Sequence, residues 1–226
     1  MHYDNFNQLE LYEGETMNRI ELKQKAKAVI QQDFWRIIGF VFLVTIISSI
    51  SQSIGSYTLI GLFFISNVVT IGMWYFYFNM AYQKEFSASD MFKGFSGLQY
   101  MTIVKKMALY VLYTTLWTLF GIITFGIGFI WAIPKMIGYS MVPYLLVKED
   151  CIEKTANEVI QKSSQLLHGY KMEYFMLLLS FIGWYLLSII TFGIVGLYTA
   201  PFTSITVIYY FDELYLNSSE TEVYPE

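Results

Sequence analysis

Tyr174–Phe211 reads YFMLLLSFIGWYLLSIITFGIVGLYTAPFTSITVIYYF, and it contains no Asp, Glu, Lys, Arg or His. The run is about twice the ~20 residues that a helix needs to cross the hydrocarbon core of a bilayer. It is interrupted once, at Thr191-Phe192-Gly193, a triplet suited to a tight turn because glycine accepts positive φ and ends helices. A long uncharged run with a central turn reads as two membrane-spanning helices joined as a hairpin.

Two further runs have the same form. Phe34–Ala81 carries a single charge, Arg36, at its start, and Met107–Val147 carries only Lys135. The expected fold is therefore an all-α membrane protein with six transmembrane helices arranged as three hairpins. The spans are expected at Phe34–Ile54, Thr58–Ala81, Ile103–Ile123, Ile127–Val147, Tyr174–Ile190 and Ile194–Phe211. The turns fall at Ser51–Ser56, Thr124-Phe125-Gly126 and Thr191-Phe192-Gly193.

Composition agrees. The chain of 226 residues is 55% hydrophobic and 14% charged, against roughly 25% charged in soluble domains. The net charge of −4 belongs to the loops and ends. No basic patch with interleaved aromatics points to nucleic acid. One cysteine, Cys151, cannot form an intrachain disulfide, and with His2 and His168 it makes no metal set. No cofactor motif is present. Residues 1–17 read as a disordered acidic tail, with Met17 as an alternative start. Residues 18–216 read as one six-span domain, and residues 217–226 as a second disordered tail. The start is too polar, and the first apolar run too late and too long, for a cleaved signal peptide.

Polar stretches precede each hairpin. Leu22, Ala26, Val29 and Ile30 share one helical face, as do Ile152, Ala156, Val159 and Ile160, and the stretch around Ser87–Phe95 is a shorter version. Such amphipathic helices beside a span are expected at the membrane interface. Every Lys and Arg except Lys135 lies before or between the hairpins or at the start of a hairpin's first span. The positive-inside rule then places both termini in the cytoplasm and the three turns outside.

The chain repeats itself. Trp117, Ile123-Thr124-Phe125-Gly126-Ile127 and Pro134 recur sixty-seven residues on as Trp184, Ile190-Thr191-Phe192-Gly193-Ile194 and Pro201. Gly126 and Gly193 are read as turn residues, and Pro134 and Pro201 as kinks within their spans. Lys135 is the outlier, a charge inside a span with no acidic residue in any span to meet it. It defines a candidate polar intramembrane site with Asn67 and Ser140, able to hold an anion or a lipid phosphate. A Ser140–Lys135 dyad is five residues apart and faces poorly for catalysis, and no other catalytic constellation is present.

The segments Asn18–Lys27 with Trp35, Ile133-Pro134 with Tyr139-Ser140-Met141 and Tyr144, and Ser180–Trp184 with Thr191–Ile194 and Pro201 resemble domain-of-unknown-function family 975, integral-membrane proteins of Firmicutes. The resemblance spans about residues 17–215 and implies a polytopic membrane fold with no established activity. Pro134-Lys135 stands where that family usually has Pro-Gly, so the resemblance assigns Lys135 no role. The hairpin layout is also similar to the membrane domain attached to some glycerophosphodiester phosphodiesterases. The function expected is non-enzymatic binding of a membrane lipid, or of a membrane-protein or peptide partner. The alternative is a transporter, or a bacteriocin or toxin immunity protein, built around Lys135.

Overall fold

A computed structural model describes residues 18–56, 67–82, 84, 87–95, 100–148 and 153–223. Every regular element among them is helical. The helices are α1 (Arg19–Gln32), α2 (Phe34–Ser56), α3 (Asn67–Ala81), a 3₁₀ helix (Ala88–Phe95), α4 (Tyr100–Ile123), α5 (Phe129–Tyr139), α6 (Val142–Val147), α7 (Ala156–Leu166), α8 (Lys171–Leu179), α9 (Ile182–Ile190) and α10 (Gly196–Val223).

Three stretches are long and apolar enough to cross a membrane: Tyr100–Ile123, Phe129–Val147 and Lys171–Ile190. A fourth is added if α1 and α2 through Ile50, which meet at 95°, are taken together. A helix of 24 residues such as α4 is about 36 Å long, enough for the ~30 Å hydrocarbon layer.

Local sequence explains the helix ends. Asn18 caps α1 by accepting the Ile20 N–H at 3.1 Å. Thr155 and Glu158 cap α7 reciprocally, each side chain accepting the other's backbone N–H. Ser51–Ser56, expected as a turn, instead continues α2. Thr45, Ser49 and Ser53 each donate their hydroxyl to the carbonyl four residues back. The hydroxyls are thereby satisfied inside an apolar helix and do not break it.

The two Thr-Phe-Gly turns are near copies. Phe125 and Phe192 have φ of 52° and 51°, and Gly126 and Gly193 have φ of 93° and 89°. The Thr124 and Thr191 hydroxyls each donate to the carbonyl four residues back and accept the N–H four residues ahead. The glycine N–H closes each helix on Gly121 or Ser188. α5 and α10 run through Pro134 and Pro201. The interruption in the expected fourth span falls at Ser140-Met141, just ahead of Pro143, and the fifth span is interrupted at Ser180-Phe181. α10 continues past Phe211 to Val223, into the segment expected to be disordered.

The amphipathic helices are used inwards. Leu22, Ala26, Val29 and Ile30 of α1 are buried, chiefly against α10. Val159, Ile160 and Ser163 of α7 are buried beside α4 and α5, and the Ser163 hydroxyl donates to Gly138 O at 2.7 Å. Their apolar faces, expected to meet lipid headgroups, pack on the protein itself.

Burial is uneven along the molecule. Residues 141–147 are all buried, as are Ile205–Ile208, Tyr210 and Phe211. Towards the turns the pattern inverts. α9 has no buried residue, and Leu116, Leu119, Ile122, Ile130 and Trp131 are exposed. Phe125 and Phe192, at the turn tips, are 99% and 98% exposed.

Candidate functional site

Lys135 is the seventh residue of α5 and is exposed. No ion pair engages it among the described residues. The Ser140 hydroxyl is turned back on the helix and donates to Ile137 O at 2.7 Å. Asn67 opens α3, and its side chain lies outside the described residues.

A groove of about 420 Å³ lies between α4 and α5, and Met136, next to Lys135 in sequence, is part of its wall. Tyr110, Thr114, Thr115, Thr118, Leu119 and Met136 line it. The Thr114 and Thr118 hydroxyls donate to Tyr110 O and Thr114 O, and Thr118 Oγ1 reaches Met136 Sδ across the groove at 3.9 Å. Two of its polar groups, the Thr114 and Thr118 hydroxyls, are thus already bonded to their own helix.

A second cluster was not singled out from sequence. Asp212 of α10 is 8% exposed and accepts hydrogen bonds from the Tyr82 and Tyr144 hydroxyls. Lys148 Nζ lies 3.6 Å from its Oδ1 and donates to the Tyr144 hydroxyl at 3.2 Å. The same ammonium sits 4.0 Å from the Tyr215 ring centroid, and the Lys162 ammonium sits 4.9 Å from it. Asp212 is one residue past the expected end of the sixth span. Burial pushes its carboxyl above the ordinary value, against the opposing pull of Tyr144, Tyr82 and Lys148. Nearby, the Tyr209 hydroxyl donates to Ala81 O at 2.6 Å. Phe211 packs among the rings of Trp74, Tyr144 and Tyr174.

This cluster joins the ends of three helical runs: Tyr82 after α3, Tyr144 and Lys148 at the end of α6, and Asp212 on α10. Tyr82, Lys148 and Asp212 are the first residues beyond the expected ends of spans two, four and six. That coincidence was the available signal, hidden because each residue alone looks like an ordinary boundary residue. The arrangement holds a carboxylate in place with two phenols and one ammonium. Such a set fixes the relative register of the three helices. No group of three or more His, Cys, Asp or Glu able to hold a metal is found among the described residues.

Residues 122–218 match the model of a family described as "Protein of unknown function (DUF975)". The match covers the second turn, the break at Ser140-Met141, α7, the second Thr-Phe-Gly turn and Asp212. The family resemblance read from the sequence is thus found in the later part of the chain. No curated protein and no solved structure matches the chain.

Proposed function

We propose that this is a six-span protein of the bacterial cytoplasmic membrane, with both termini cytoplasmic, that binds membrane lipid and carries out no chemistry. The observation that supports this reading is the apolar surface of α4, α5 and α9, exposed right up to the turn tips. In water such a surface would be an aggregation site far larger than soluble monomers expose; in a bilayer it is the lipid-facing surface. The packed aromatic and polar cluster around Asp212 lies at the opposite end, the end of the basic loops, and those loops support reading that end as cytoplasmic.

The test is a set of reporter fusions in the full-length protein. A reporter active only in the cytoplasm should give signal at Glu226 and none when inserted at Gly55, Gly126 or Gly193. Signal at either late turn would replace the spanning hairpins with re-entrant ones. The transporter or immunity reading draws less support, because Lys135 faces outward and is not among the residues lining the groove.

A further inference from the structure

We propose that Lys135 and the adjoining α4–α5 groove form a binding site for an anionic phospholipid. The phosphate would pair with the Lys135 ammonium, and one acyl chain would lie in the groove. This rests on the lipid-binding reading above and names its ligand and place.

The first observation is charge. No Asp or Glu occurs in Phe34–Ala81, Met107–Val147 or Tyr174–Phe211. The counter-charge for Lys135 therefore does not come from within these runs, in this chain or in a second copy; the stretch Lys171–Ile190 carries one acid, Glu173, in its first turn. Phosphate is the anion that every bilayer supplies.

The second observation is depth. Lys135 stands about 9 Å along α5 from its start at Phe129. Side chains on a helix lean towards its N-terminus, and for α5 that is the end carrying the Phe125-Gly126 turn. A lysine stem of four methylenes spans most of the remaining distance to the headgroups while its carbons stay in apolar surroundings.

The third observation is shape. Met136, the next residue, forms part of the groove wall, and Thr114 and Thr118 have their hydroxyls already bonded to backbone. A hydrocarbon chain lying over these two hydroxyls leaves both of them bonded.

The test uses the full-length protein in nanodiscs of mixed phosphatidylglycerol and phosphatidylcholine, with lipids retained on release counted by native mass spectrometry. Wild type should retain phosphatidylglycerol preferentially. Lys135→Met should lower that retention about fivefold, and Lys135→Arg should keep it. Thr115→Trp, which fills the groove, should lower retention with the lysine intact. Lys27→Gln, on the exposed side of α1, should leave it unchanged. Equal retention in Lys135→Met and wild type would overturn the proposal. So would displacement of the lipid by millimolar inorganic phosphate, which would mark a free-anion site, or co-purification of a second membrane protein through Lys135. Loss of the protein from carbonate-washed membranes would instead remove the membrane reading itself.

Discussion

Phe125 and Phe192 hold a backbone conformation that L-residues with large side chains avoid. Each is followed by a glycine that also needs positive φ, so each turn places two successive residues in the left-handed region. Nothing lies within 4 Å of a Cβ built at Gly126 or Gly193, so backbone conformation alone demands glycine there. Gly193→Ala should destabilise the protein by about 1 kcal/mol after allowing for the less flexible unfolded chain. Phe192→Asn, which suits the left-handed region and removes no packing, should be neutral or stabilising. Denaturation of the detergent-solubilised protein would read both, and a destabilised Asn variant would mean that the exposed ring does more than cap a turn. Asp90 offers a second test. Burial works against its charge, but Lys93, the Ser87 N–H and Asn79 more than offset this and hold its carboxyl below the usual value. A lowered folded pKa means that its contribution is present above the ordinary carboxylate value and fades as pH falls through the folded one. Protection across Ala88–Phe95, measured as exchange relative to the intrinsic rate at each pH, should therefore fall below about pH 4. Asp90→Asn should show low protection at neutral pH and no further loss of it in acid.

At the scale of elements, sequence and structure diverge in an instructive way. The Thr-Phe-Gly turns were legible because glycine, threonine and spacing all point to one local geometry. The amphipathic faces of α1 and α7 were legible too, but not what they cover, since a period of 3.6 gives a face and not its partner. The breaks at Ser140 and Ser180 were hidden because serine is tolerated inside apolar helices when its hydroxyl bonds back to the backbone. Prolines drew attention instead, and Pro134 and Pro201 lie within continuous helices. Asp212 escaped notice because its phenol partners lie 68 and 130 residues away in sequence and its ammonium partner, Lys148, is also distant. Its role as a register pin predicts a graded response. Asp212→Ala strands Lys148 and two phenols and should cost about 3 kcal/mol, whereas Asp212→Asn keeps acceptors for the phenols and should cost clearly less. Thermal unfolding in detergent distinguishes the two, and equal losses would show the charge to be irrelevant.

For the molecule as a whole, the packed end and the bare end divide the work. The packed end carries α1, α7, the Asp212 cluster and the ends of α3 and α6. The bare end exposes Leu116, Ile122, Trp131, Tyr185 and Ile189, a surface only a bilayer solvates well. Stability should accordingly be sensitive to core changes at one end and to lipid thickness at the other. Purified protein should keep its unfolding midpoint when the belt of lipid or detergent matches about 30 Å and lose it in short-chain detergents, while Lys27→Gln, on a solvated helix face, should not alter that dependence.

The packing of α1 on α10 also sets an order of events. The apolar face Leu22–Ile30 belongs to the first of the described helices, and the surface that chiefly covers it, on α10, is made after all the other described helices. Until then that face has only its smaller contacts with α2 and α3. It must be sheltered by the insertion machinery or held against the bilayer surface, and released when α10 arrives. A nascent chain halted before Gly196 should therefore stay bound to its insertase, and α10 acts as the clasp that closes over α1.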